Sequence, residues 1–267
     1  MDRSTQRKLL GLLSLVIIVW DLYKEVRRIT HIFSSSSHIG LNDILMFLTR
    51  GVVLSALVLG VIGSIRLLQQ DRMNRAIKYF WAFFLVSMLS YWGRAVVFPP
   101  SFQSFSLVLS QLLSLGLLVS LFLFRDQFSM PVDADTRRQY AATNSRRFFS
   151  FAIDLFVIVL FGLQTYGSGY SWDFDPSTEL DRYVVMILFQ FAYFWLTEGI
   201  LRQSIGKVIM NTSVVSNQTE EGFLGRIFVR NNLRYIPLEP LSIFMEKGLF
   251  HDRFSDTTVI QAKPKDL

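Results

Sequence analysis

The chain has 267 residues, a formal net charge of +6, 51% hydrophobic residues and only 18% charged residues. An ordinary soluble domain carries about 25% charged residues. Because there is no cysteine, disulfides, thiolate metal sites and a cysteine nucleophile are excluded. The three histidines, His31, His38 and His251, lie too far apart in sequence to suggest a zinc site. No arrangement of nucleophile, base and oxyanion donors and no glycine-rich phosphate loop is visible, so we expect neither an enzyme nor a cofactor or metal.

The apolar residues are gathered in blocks of membrane length. A helix needs about 20 mostly apolar residues to cross a hydrocarbon core of roughly 30 Å, and six blocks fit or approach that requirement. The sequence therefore predicts an all-α fold: a polytopic membrane protein with about six transmembrane helices. The predicted spans are Leu9–Tyr23, Ile44–Ile65, Tyr79–Phe98, Phe105–Phe124, Phe148–Tyr166 and Tyr183–Leu201.

Lysine and arginine positions predict the orientation of these spans. The N-terminus and the connections after the second and fourth spans are rich in basic residues, whereas those after the third and fifth are poor. Cytoplasmic loops carry the excess of basic residues, so both termini are predicted in the cytoplasm. One loop, Lys24–Asp43, disagrees because it places three basic residues outside. The positive net charge is explained by topology, and no nucleic-acid binding is expected.

Composition divides the chain into four parts. We predict a four-helix membrane region over residues 1–125, a polar cytoplasmic linker over 126–145, a second membrane domain over 146–260 and a tail over 261–267. Small residues spaced by four, such as Ala56, Gly60 and Ser64, indicate close helix packing within the chain, with a dimer face as the alternative.

Three charged residues of the first region, Asp21, Arg50 and Arg94, fall toward the outer leaflet. Charges within a membrane usually pair inside the helix bundle, so we predict that Asp21 pairs with Arg50 or Arg94. An anion or substrate site at this place is the alternative. A further alternative is that the Arg94 side chain extends to the outer membrane–water interface.

The fifth span carries a carboxylate, Asp154, seven residues after Arg147. Seven residues place both side chains on one helix face with a rise of about 10 Å between them, too far for a direct pair. Asp154 therefore needs a neighbouring helix, a water, an ion or its own proton as partner. Two roles are open for Asp154: it takes part in proton-coupled exchange, or it contributes to folding alone. Glu198, one turn before the end of the sixth span, is expected at a similar depth.

The segment after the sixth span is expected at the cytoplasmic face. The β-branched segments Asn211–Ser216 and Thr257–Ile260 predict a short pair of β-strands. Between them, Arg226, Arg230 and Arg234 recur every four residues and predict a basic face on an interfacial helix, which Pro237 ends or kinks. We expect these arginines either to contact lipid phosphates or to reach inward and neutralise Asp154. A second amphipathic stretch, Leu238–Phe250, follows.

The second half combines several short motifs in a fixed order. The motifs are Arg147 and Asp154, Gly206-Lys207 followed by Val214-Val215, the spaced arginines, and His251-Asp252-Arg253 before Thr257-Thr258-Val259. In this order they resemble the RDD family of membrane proteins over roughly residues 146–260, and the arginine and two aspartates that name the family map to Arg147, Asp154 and Asp252. The sequence departs from the family at Asn211 and Asp256, where the family often has glycine.

The resemblance implies a multi-pass protein of a bacterial cytoplasmic membrane. It further implies transport of a monovalent cation or small solute coupled to protons, with Asp154 carrying the ion or proton beside Arg147. Glu198 or Asp252 would relay protons to water. The alternative is a non-transporting scaffold or subunit that binds a protein partner or anionic lipid at its cytoplasmic face. Membrane lipids are expected partners in both cases, and a homo-oligomer is left open.

Overall fold

The computed structural model describes residues 2–35, 41–70, 74–97, 115–123, 125, 128, 140–167, 176–217, 221–235 and 250–261. Several predicted features lie outside the described residues. They are most of the span Phe105–Phe124, most of the linker 126–145, the loop 168–175 between the last two spans, Pro237, most of the stretch Leu238–Phe250, and the tail after Gln261.

The described chain is mostly helical, as predicted. The N-terminal region contains α1 (Arg3–Ser35), α2 (Leu41–Gln70), α3 (Arg75–Val97) and a helical stretch over 115–123. The second half contains α4 (Asn144–Gly167), α5 (Pro176–Leu201), the short α6 (Ile205–Ile209), β1 (Thr212–Ser216), α7 (Phe223–Leu233), α8 (Phe250–Phe254) and β2 (Thr257–Gln261).

Membrane character is clearest in α2. Among the described residues, Arg50–Gln69 is the one stretch of helix that is both long enough and apolar enough to cross a bilayer by length and composition. A shorter apolar stretch, Met186–Leu201, lies in α5. The prediction of six spans is therefore not confirmed by the fold.

The N-terminal region and the second half share one hydrophobic core. Trp81 and Leu85 of α3 are buried in the same cluster as Tyr193 of α5. The rings of Phe83 on α3 and Phe161 on α4 meet edge to face, with centroids 5.5 Å apart. The second half is thus packed directly against α3.

The predicted strand pair is confirmed. β1 and β2 are antiparallel, with Thr212 opposite Gln261 and Ser216 opposite Thr257. The other edge of β2 is covered by the residues just before α4, because the Ala142 N–H donates to the Val259 carbonyl at 2.9 Å. This small sheet therefore fixes the start of α4 beside the C-terminal strand.

A left-handed residue ends α5. Arg202 has φ 63°, which reverses the chain directly after Leu201. Its carbonyl oxygen accepts the Val214 N–H at 2.8 Å and the Ser213 hydroxyl at 3.3 Å. The turn between α5 and α6 is therefore held by β1.

Candidate functional site

Asp154 is the centre of the polar cluster in the second half, and its side chain is completely buried. Its Oδ1 accepts the Tyr193 hydroxyl at 2.6 Å and the Gly206 N–H at 2.8 Å. Its Oδ2 accepts the Ser204 hydroxyl at 2.5 Å. One carboxylate thus joins α4 to α5 and to the start of α6.

The start of α6 is shaped to receive this carboxylate. The first N–H groups of a helix have no partner within the helix and favour a negative charge. Ser204 is the N-cap residue, and the Tyr193 hydroxyl accepts the Ile205 N–H at 3.0 Å. A Cβ at Gly206 would collide with the Ser150 carbonyl and lie 3.0 Å from Cγ of Asp154. Glycine is therefore required for the close approach of α4 and α6.

The C-terminal end of α6 is bound by arginine. Arg75, at the start of α3, donates to the carbonyl oxygens of Val208 and Ile209 at 2.8 and 2.9 Å. Arg146 donates to the Met210 carbonyl at 3.5 Å. Cations at this end complement the helix dipole, so α6 is held between Asp154 and a residue of the N-terminal region.

Glu198 is the second buried carboxylate, and three cations surround it. The Lys207 ammonium lies 2.8 Å and the Arg234 guanidinium 2.7 Å from Oε1, while Nε of Arg230 lies 3.2 Å from Oε2. Burying a carboxylate without such partners is strongly unfavourable. Glu198 therefore connects α5 with α6 and α7.

Asp252 is the third carboxylate, and it pairs with Arg147 and Arg230. The imidazole Nε2 of His251 lies 3.2 Å from its Oδ1. Burial acts to raise the pKa of Asp252, but Arg230, His251 and Arg147 hold it well below its usual value. Because Arg230 contacts both Glu198 and Asp252, it links the two ion-pair groups, and it also donates to the Thr257 hydroxyl at 2.7 Å.

The structure brings the four predicted ion- or proton-binding residues into one region but in two separate arrangements. Arg147, Glu198 and Asp252 belong to the arginine-rich network. The side-chain and backbone donors that hold Asp154 come instead from Tyr193, Ser204 and Gly206. Sequence reasoning missed these three donors, although a serine and a glycine at the beginning of a short helix were a usable signal.

The spaced arginines all bind groups within the protein. Arg230 is buried, and both Arg230 and Arg234 turn toward Glu198 rather than Asp154. Arg226 donates to the Ser216 hydroxyl on β1.

The predicted outer-leaflet cluster is described only in part. Asp21 on α1 and Arg50 on α2 are both half-buried, and each interacts with another group of the protein. The side chain of Arg94 lies outside the described residues. Within the described part of the chain, no three histidine, aspartate or glutamate side chains are grouped as metal ligands.

The described residues form a mostly helical protein with buried ion pairs in its second half, and α2 is long and apolar enough to cross a membrane. Residues 141–254 match the family model described as the RDD family, which confirms the predicted resemblance of the second half of the chain. This match indicates an integral membrane protein. Comparison with curated proteins and with solved structures gives no match.

Proposed function

We propose that this protein is a multi-pass protein of the bacterial cytoplasmic membrane, with both termini cytoplasmic, whose RDD domain is a scaffold for a membrane-protein complex. In this proposal the ion pairs of Glu198 and Asp252 hold the cytoplasmic ends of α4 and α5 against α6, α7 and the small sheet. This rigid region then offers a surface of fixed shape to a protein partner, with anionic lipid as an accessory ligand.

Exposed apolar side chains support immersion of several helices. On α1, Leu12, Val16 and Val19 are 54%, 68% and 67% exposed. On α4, Phe156 is more than half exposed, as is Leu188 on α5. Soluble monomers rarely expose large contiguous apolar patches, and residues spaced by three or four lie on one helix face. Acyl chains are the natural environment for such faces.

The observation that carries the scaffold proposal is the engagement of both carboxylate oxygens of Asp154. Each oxygen accepts at least one hydrogen bond, and all three donors belong to the protein itself. An ion that displaced the Gly206 N–H from Oδ1 would leave a buried backbone N–H without a partner, which is unfavourable by about 1–3 kcal/mol. Glu198 and Asp252 are likewise engaged by cations of the chain.

Proton-coupled cation transport is the second candidate. The observation in its favour is that two of the three donors to Asp154, Tyr193 and Ser204, are hydroxyls, which both donate and accept hydrogen bonds. If its O–H rotated away from the carboxylate, such a hydroxyl would offer a lone pair to a cation beside Asp154. A backbone N–H can only donate and cannot bind a cation in this way.

A liposome assay separates the two functions. The purified full chain is reconstituted with a pH-sensitive dye inside and challenged with sodium, lithium or potassium. The scaffold proposal expects the same dye response as protein-free liposomes. Cation-evoked proton movement that is lost in a folded Asp154→Asn variant would establish transport instead.

Cysteine labelling tests the orientation, and the chain offers no background thiol. A membrane-impermeant maleimide should label Thr143→Cys, which is exposed just before α4, only after the cytoplasmic side is opened. It should label Asp175→Cys in intact cells. The reverse pattern would overturn the orientation.

A further inference from the structure

The N-terminal end of α7 packs against the cytoplasmic end of α5. A Cβ at Gly199 would lie 2.9 Å from Cδ2 of Leu224, so the two helices are in close contact there. Six residues further along α7, Nε of Arg230 lies 3.2 Å from Oε2 of Glu198. Both contacts fall within the last turn of α5.

The long side chains of Arg230 and Arg234 both reach back to Glu198, but the aromatic contacts of α7 and of Tyr235, two residues after its end, fall earlier on α5. The rings of Phe228 and Phe191 meet edge to face, with centroids 5.3 Å apart. The Tyr235 hydroxyl donates to the Ile187 carbonyl at 3.0 Å. α7 therefore runs antiparallel along α5, away from the cytoplasmic end.

Helix geometry gives the distance of the Tyr235 contact from the cytoplasmic end of α5. Ile187 precedes Leu201, the last residue of α5, by fourteen residues, and at 1.5 Å per residue this is about 21 Å along the helix axis. The hydrocarbon core is about 30 Å thick. If α5 spans the membrane, the Tyr235 hydroxyl lies well inside the core rather than at the cytoplasmic interface.

The outer face of α7 has the chemistry of a lipid-facing surface. Phe228 is 50% and Val229 is 43% exposed. Asn232 is exposed, and one N–H of its side-chain amide donates to the Phe228 carbonyl at 2.9 Å, so part of its polar group is satisfied within the helix. An interfacial helix directs its cations outward to phosphates, whereas Arg230 and Arg234 turn inward to Glu198.

We propose that α7 is embedded in the hydrocarbon layer along α5, with Phe228 and Val229 contacting lipid acyl chains, instead of lying flat on the cytoplasmic surface. The inference rests on the proposed multi-pass function, because α5 provides the depth scale. It replaces the predicted interfacial helix with a segment that enters the membrane from the cytoplasmic side.

Spin-label accessibility measures this placement directly. The full chain is reconstituted in phosphatidylethanolamine–phosphatidylglycerol liposomes with a nitroxide on Phe228→Cys or on Val229→Cys. Val229 is the safer position because no aromatic contact is lost there. Phe156→Cys on α4 serves as the lipid reference and Glu221→Cys, exposed just before α7, as the water reference. The inference expects labels at 228 and 229 to collide with oxygen more often than with a water-soluble nickel complex, as at 156.

Two other outcomes overturn the inference and are distinguishable. If labels at 228 and 229 behave like the label at 221 while the label at 156 is lipid-exposed, α7 lies outside the hydrocarbon and the membrane proposal survives. If the label at 156 is also water-exposed, the proposed membrane placement of α4 fails and the inference about α7 fails with it.

Discussion

The carboxylate of Asp154 accepts a hydrogen bond from the backbone N–H of Gly206, 52 residues away in sequence, at 2.8 Å. This contact places a carboxyl group of α4 at the first turn of α6. The same carboxylate accepts the hydroxyls of Tyr193 and Ser204. A buried carboxylate with three donors from its own chain is arranged to hold elements together.

Asp154→Asn should destabilise the folded protein without unfolding it. The amide keeps one oxygen acceptor but turns an N–H₂ group toward groups that donate, so at least one buried donor loses its partner, which lowers the free energy of unfolding by about 1–3 kcal/mol. Thermal unfolding of the detergent-solubilised chain measures the change. Asp256→Asn is the matched control, because Asp256 is exposed at φ 50° and asparagine tolerates this conformation. Equal midpoints for the two variants would argue against the role assigned to Asp154.

Gly206→Ala should be more harmful than a glycine-to-alanine change elsewhere. The added methyl group meets the Ser150 carbonyl and the Asp154 carboxyl, so α4 and α6 must separate, and overpacking of this kind typically lowers stability by about 1–3 kcal/mol. Gly225→Ala is the control, because a Cβ there meets nothing within 4 Å. Gly225 lies in the first turn of α7, so this second change should raise stability by less than the value of about 1 kcal/mol typical of a helix interior. Opposite signs in the unfolding midpoints are expected, and a stabilising Gly206→Ala would be inconsistent with the packing described.

Arg75→Ala should loosen the attachment of the N-terminal region to the RDD domain. Two hydrogen bonds to the carbonyls at the end of α6 are lost, and a hydrogen bond to a charged group contributes about 1.5–3 kcal/mol when buried. Arg75 is partly exposed, so we expect the lower end of this range. Arg66→Ala is the control, because Arg66 is an exposed arginine on α2. It should change the free energy of unfolding by no more than about 0.5 kcal/mol. Indistinguishable midpoints would show that Arg75 does not hold α6.

Asp252 should make stability depend on pH in the acid range. Its pKa is held below the ordinary value of 3.8 by Arg230, His251 and Arg147, against the effect of burial. A group whose pKa is lower in the folded state stabilises the protein above its unfolded pKa, and this contribution is lost as the pH falls toward the folded pKa. The difference in unfolding midpoint between wild type and Asp252→Asn should therefore be largest near neutral pH and shrink below about pH 4. A difference that stays constant or widens in acid would contradict the ion-pair assignment.

Local patterns were sufficient to predict the long helices and the strand pair, but not the short helices α6 and α8. Apolar blocks of membrane length fall within α2, α4 and α5, and the β-branched residues of β1 and β2 were recognisable in short windows. The order of short motifs also identified the domain, because motif spacing is visible in a single chain. These features depend on residues that are close in sequence.

The partners of the charged residues could not be predicted in the same way. Arg147 and Asp252 are 105 residues apart, and nothing local indicates that they meet. The regular spacing of Arg226, Arg230 and Arg234 suggested a common helix face but did not reveal that Glu198 is opposite two of them. Likewise, the direction of α7 along α5 depends on tertiary contacts such as that of Tyr235 with Ile187.

A double-mutant cycle with Ser204 tests most directly whether the hydrogen bonds of Asp154 hold α4 to the turn before α6. The free energies of unfolding are measured for wild type, Asp154→Asn, Ser204→Ala and the double variant in one detergent at neutral pH. Residues that share a hydrogen bond show coupling energies of about 0.5–3 kcal/mol. We expect the double variant to be less destabilised than the sum of the two single variants, because the 2.5 Å bond is lost only once. Strict additivity would contradict the account, since it would mean that the carboxylate and the turn before α6 are energetically independent.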